Sequence, residues 1–70
     1  MAESVYKIID LVGTSTDSWE AAAKTAVERA SGTLRDLRIA EVDKLDMTVE
    51  DGKVMLYRAK IKLSFKYEEA

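Results

Sequence analysis

Positions 55–67 alternate without a break. Met55, Tyr57, Ala59, Ile61, Leu63, Phe65 and Tyr67 fall on one parity, and Leu56, Arg58, Lys60, Lys62, Ser64 and Lys66 on the other. Period two over that length is the pattern of a half-buried antiparallel strand with one core face and one mostly cationic face. At roughly 3.3 Å per residue such a strand runs on the order of 40 Å, against a usual five or six residues. In a chain of only 70 residues, a strand of that reach either overhangs its own core or is shared with neighbouring copies. Assembly is therefore the first expectation about function.

Size points the same way. A chain this short buries only about 60% of the surface its unfolded form exposes, and small domains make up the deficit with disulfides, a structural metal or oligomerisation. There is no cysteine and no histidine, which removes disulfides and the thiolate and imidazole sites of structural zinc. Oligomerisation remains. Eleven basic against thirteen acidic residues give a net charge of −2, so nucleic acid is not an expected partner. No apolar run approaches the ~20 residues of a membrane span, and Met1–Ser4 is too short and polar for a signal peptide. A soluble, cytoplasmic protein with no membrane partner is expected. An apolar content of 47% with no proline and three glycines is that of an ordered chain.

Val5 to Val12 is rich in β-branched residues and predicts a first strand, with Val5, Ile9 and Leu11 on one face and Tyr6, Ile8 and Val12 on the other. Apolar residues on both faces predict that it is central or covered on both sides. Thr16 or Asp17, the latter with Glu20 three residues on, would cap the helix that follows. Trp19, Ala22, Ala23, Ala26, Val27 and Ala30 then form an apolar stripe at helical spacing, with Glu20, Lys24 and Glu28 on the wet face. Gly32 is expected to end the helix in the left-handed conformation. Leu37 to Val49 predicts a second strand, with Leu37, Ile39, Leu45, Met47 and Val49 on one face and Ala40 and Val42 on the other. Asp51-Gly52 is a hairpin signal between flanking strands. The result is a single α+β domain over residues 1–70, ordered β-α-β-β, with a three-stranded antiparallel sheet. Its one helix can shield only one face. The other, which mixes apolar residues with Ile39, Glu41, Asp43, Arg58 and Lys60, is expected to meet other subunits, a ligand, or both.

The segments VYKIIDLVGTS, SWEAAAKTAVERAS, TLRDLRIAEV and EDGKVMLYRAKIKLSFKYE, in that order and spacing, resemble the dodecins, small proteins that assemble as hollow dodecamers. The resemblance covers nearly the whole chain. It implies a curved sheet that partly wraps the helix, a homododecamer, and a binder rather than an enzyme: a shell that stores or sequesters flavin, riboflavin or FMN, at inter-subunit pockets. Mapped onto this chain, the pocket takes in Ile39 and Arg58 with Glu41, Lys44 and Thr48, and Lys66 is the position matched to phosphate-bearing cofactors. Two departures stand out. Flavin binders place a tryptophan that stacks on the flavin ring where this chain has Ile39, and a glutamine that bonds the ring edge where it has Arg58. Aromatic stacking is worth roughly 0.5–1.5 kcal/mol beyond area burial, so its loss corresponds to about tenfold in affinity.

Arg58 has two readings. Its planar guanidinium suits an anionic or planar ligand, and it equally suits a cross-strand salt bridge with Glu41 or Asp43 at an interface. Some relatives that lack the tryptophan are described as calcium-binding, and Asp43, Asp46, Glu50 and Asp51 supply the oxygen ligands that hard cations take. Their spacing is not that of an EF-hand, and no residue is assigned as a metal ligand. Glu41/Lys44 and Asp43/Lys60 read as ion pairs, and Lys60 and Lys62 extend a cationic row that symmetry would multiply. Trp19 and the three tyrosines read first as packing residues. With neither histidine nor cysteine, no nucleophile and base can be paired. The leading expectation is a flavin-binding dodecameric shell. The alternative is a shell for cations or phosphorylated cofactors, with Arg58 held in a salt bridge.

Overall fold

A computed structural model describes residues 3–67. Strand β1 (Tyr6–Ser15) leads through a short turn into helix α1 (Trp19–Ser31), followed by the long hairpin of β2 (Leu37–Glu50) and β3 (Lys53–Lys66). All three strands lie in one antiparallel sheet of order β1-β3-β2. The expected β-α-β-β subunit is thus present, but β1 is an edge strand, not the central one. The alternating strand β3 is central, because both neighbours can pair with it while the helix returns the chain from β1 to β2.

The helix cap lies two residues after Thr16 and one after Asp17, the two expected positions. Ser15 Oγ accepts from the Asp17 N–H at 2.9 Å and keeps Thr16 and Asp17 in the turn. Ser18 is the N-cap, its Oγ accepting from the Ala21 N–H at 3.0 Å. Gly32 does not adopt the left-handed conformation: its φ of −72° continues the helical region, and the last turn closes through Thr33 and Leu34 N–H bonds to the Ala30 carbonyl. The positive φ in this connection falls on Asp36, at 56°. At the hairpin, Asp51 and Gly52 have φ of 51° and 75°, the left-handed pair that a two-residue hairpin loop demands.

The core is the alanine stripe Ala22, Ala26 and Ala30 laid on Ala59, Ile61 and Leu63 of β3, with Ile9, Leu11, Val27, Leu34 and Leu37 around it. Small side chains let the helix sit close to the sheet. The closest approach is at Gly13, where an added Cβ would collide with the Ala22 carbonyl oxygen and meet the Ala26 Cβ at 3.0 Å. Hydrogen position alone is enough room there, so glycine is required for packing.

Register along β2 shifts between Leu37 and Ile39, between Val42 and Lys44, and between Thr48 and Val49. The first two leave Arg38 and Asp43 as extra residues, and each extra residue reverses the parity that follows. Ile39 therefore lies opposite Ser64, on the face away from the helix, while Ala40 and Val42 oppose the buried Leu63 and Ile61. Ile39 is thus on the uncovered face, as expected, but apart from Leu37, Leu45 and Met47, whose side Ala40 and Val42 share instead; this corrects the expected grouping.

The helix is short for its sheet. Thirteen residues at 1.5 Å span ~20 Å, whereas fourteen strand residues span ~46 Å. The molecule is accordingly elongated, 54 × 20 × 15 Å. Helix α1 covers β1 and β3, and it leaves Val42, Leu45 and Met47 of β2 about half exposed although they point to the helix side.

Candidate functional site

The face of the sheet away from the helix carries the charges. Along β3 run Lys66, Ser64, Lys62, Lys60 and Arg58. They are opposed on β1 by Tyr6, Ile8, Asp10, Val12 and Thr14. Across the sheet on β2, Ile39 faces Ser64, Glu41 faces Lys62, Lys44 faces Lys60, Asp46 faces Arg58 and Thr48 faces Leu56.

Two of these cations are neutralised within the subunit. Arg58 Nε donates to Asp46 Oδ1 at 2.7 Å and Nη2 to Oδ2 at 3.0 Å, a bidentate pair. Those hydrogen bonds hold the Asp46 carboxyl below its ordinary range and raise the Arg58 guanidinium. Lys62 donates to Asp10 Oδ1 at 3.2 Å. That bond, then the charge of Asp10 and the fields of Asp43 and Glu41, raises the lysine. The expected cross-strand salt bridge of Arg58 thus exists with a different partner. The extra residue at Asp43 moves Asp46 opposite Arg58 and Glu41 opposite Lys62, so neither Glu41 nor Asp43 reaches the guanidinium. Among the described residues, the pairs Glu41/Lys44 and Asp43/Lys60 do not form salt bridges either. Lys44 and Lys60 instead face each other, with like charges directly across the sheet.

The ligand positions fall into two groups. Arg58, Asp46, Lys44 and Thr48 lie together near the hairpin end. Ile39 and Glu41 lie beside Ser64 and Lys62, and Ser64 is six residues along β3 from Arg58, or ~20 Å. One subunit therefore does not bring Ile39 and Arg58 together. Lys66 is farther still, opposite Tyr6 at the end of β1. An open groove of about 560 Å³ runs between β1 and α1, lined by Ile9, Leu11, Thr25, Arg29 and Leu34 among others.

Trp19 packs as its helical position predicts. Its ring meets Tyr57 edge to face, with centroids 5.2 Å apart, and its Nε1–H donates to the Asp46 carbonyl oxygen at 2.9 Å. Asp46 is the residue sequence reasoning undervalued, since it was visible only as one carboxylate in an acidic group. Asp10 was missed altogether, although it is the one acidic residue of the first strand and shares the parity of Tyr6, Ile8 and Val12.

The family model described as dodecin matches residues 5–68. The chain belongs to the dodecin family. It is 48% identical over 67 residues to the calcium dodecin of Mycobacterium tuberculosis, covering 96% of this chain and 94% of that protein. It is 40% identical over 65 residues to the dodecin of Thermus thermophilus, covering 93% and 94%. Among solved structures, the dodecin of Streptomyces coelicolor superposes with a TM-score of 0.91 at 40% identity, each chain covered in full. The structure of the M. tuberculosis protein, described as a calcium-chelating antigen with a calcium-binding site, gives 0.82 at 48% identity with 96% of each chain covered. Within the subunit, the two groups of expected ligand positions lie at two ends of one open face. No helix among the described residues is long and apolar enough to cross a membrane.

Proposed function

We propose that this dodecin is a homododecameric shell that holds a small ligand between its subunits, and that calcium takes the place flavin has elsewhere in the family. The observation that carries the choice of ligand is the closed pair of Arg58 and Asp46. A ring-edge glutamine would offer an amide, donor and acceptor together; the guanidinium has no acceptor, and two of its donors are taken by a carboxylate. Ile39 at the stacking position offers no aromatic face. The 48% identity to a protein named calcium dodecin supports the same reading.

Assembly is supported by the half-exposed flank of Val42, Leu45 and Met47, which the subunit's own helix does not reach. Among the described residues no three acidic side chains converge on one point. A cation would then draw its oxygens from more than one subunit, which closed symmetry can provide. The role is that of a binder, which the resemblance to dodecins implies.

Light scattering combined with calcium titration tests this. The expected particle has about twelve times the 7.8 kDa chain mass, melts higher with calcium and returns to its starting point with chelator. Riboflavin and FMN fluorescence should stay unquenched. A monomer at micromolar concentration would overturn the shell, and riboflavin quenching without any response to calcium would overturn the ligand.

A further inference from the structure

The open face carries mixed charge, and one bidentate pair on it joins edge strand β2 to central strand β3. We propose that the Asp46–Arg58 pair is a charge lock that sets the sign of ligand this face accepts: breaking it at Asp46 admits anions, and breaking it at Arg58 admits cations. The inference rests on the reading above that the open face is the ligand surface. It goes further by assigning specificity to two residues that hold each other.

The argument is one of occupied valences. A carboxylate presents two oxygens, and both Oδ1 and Oδ2 of Asp46 are engaged by the guanidinium. Hard cations bind through such oxygens, so Asp46 is withdrawn from them as long as Arg58 holds it. The guanidinium in turn presents a planar fork matched to carboxylate and phosphate, and the face of that fork formed by Nε and Nη2 is spent on Asp46. The pair Lys62 with Asp10 is closed on itself, and the facing lysines Lys44 and Lys60 flank Asp46 and Arg58 without bonding either. Removing one member therefore leaves the other both uncompensated and geometrically released. Released Arg58 sits beside the facing lysines Lys44 and Lys60, which adds to the attraction for an anion.

The lock is a specificity device, so it must move two ligands in opposite directions. A loss of structure alone would weaken both. The test compares the wild-type shell with Asp46→Ala, Arg58→Ala and the double variant. Calcium is followed by isothermal titration and FMN by fluorescence quenching, with riboflavin as the control that lacks the phosphate. Asp46→Ala is expected to bring in FMN quenching absent from wild type, roughly three- to tenfold tighter than riboflavin in the same variant, and to leave or weaken calcium. Arg58→Ala is expected to strengthen calcium by a similar factor and to leave FMN unbound. The double variant should lose both gains. Because the side chains are exposed and the Trp19 bond goes to the backbone of Asp46, the substitutions spare the core. Asp46→Asn, of the same shape, serves if the alanine variant does not assemble.

Equal shifts for FMN and riboflavin, or shifts of the same sign for calcium and FMN in one variant, would overturn the lock. So would variants that match wild type. If wild type binds no calcium but the two variants still diverge in sign, the calcium assignment falls and the lock stands. If wild type binds calcium and no variant changes it, the lock falls and the assignment stands.

Discussion

The indole N–H of Trp19 bonds the backbone carbonyl of Asp46 across 27 residues of sequence, so the first turn of the helix is anchored to the residue whose carboxylate holds Arg58 on the opposite face of the sheet. Trp19→Phe keeps an aromatic ring beside Tyr57 and removes the donor. The expected cost is about 1 kcal/mol for the lost hydrogen bond, read from urea unfolding followed by far-UV circular dichroism.

Gly13 and Gly32 should respond to alanine in opposite directions. At Gly13 the new Cβ has no room against Ala22 and Ala26, and forcing the helix outward is expected to cost about 2–3 kcal/mol. Gly32 has a helical φ, and a Cβ there meets only the Arg29 carbonyl oxygen at 3.4 Å. Its replacement should stabilise by about 0.5 kcal/mol through the unfolded chain. Denaturation midpoints of the two variants against wild type decide it.

Both ion pairs of the open face give a pH dependence of known sign. The folded-state pKa of Asp46 lies below its ordinary 3.8, so its contribution is present above that value and is lost as pH falls through the depressed one. The folded-state pKa of Lys62 lies above its ordinary 10.5, so its contribution is full below 10.5 and is lost as pH rises through the elevated one. Thermal melts should therefore show Asp46→Asn closing its gap to wild type only in acid, and Lys62→Met closing its gap only in strong base.

Restoring the flavin signature should restore flavin. Ile39→Trp with Arg58→Gln is expected to raise riboflavin affinity at least about tenfold, by returning the stacking face and the ring-edge amide. An unchanged quenching titration would mean that the pocket differs in shape as well as in its two signature residues.

The uncovered flank makes its own prediction. Leu45→Glu puts a charge on a half-exposed position of the helix-side face and should shift the particle toward smaller species by light scattering, because a buried interface tolerates an unpaired carboxylate poorly. A full-size particle would place the subunit contacts elsewhere.

Element order and type were legible because each rests on a local signal: the unbroken alternation of 55–67, the alanine stripe from Trp19 to Ala30, and the Asp51-Gly52 turn. What was not legible depended on pairing across the sheet. An extra residue at Arg38 or Asp43 leaves no compositional mark, yet it separates Ile39 from Leu37, Leu45 and Met47 and brings Asp46, instead of Glu41 or Asp43, to Arg58. The edge position of β1 was hidden for a related reason, since apolar residues on both faces mark a strand that meets neighbours without saying whether they belong to the same chain. Gly32 misled because glycine after a helical stripe signals a left-handed cap, whereas here the chain stays helical and Asp36 takes the positive φ.

The helix that stops ~20 Å along strands of ~46 Å has a thermodynamic corollary. In the proposed shell the uncovered apolar flank ties folding to association, so the particle should melt as an association equilibrium. Its transition temperature would climb with total chain concentration, and dilution alone would act as a denaturant.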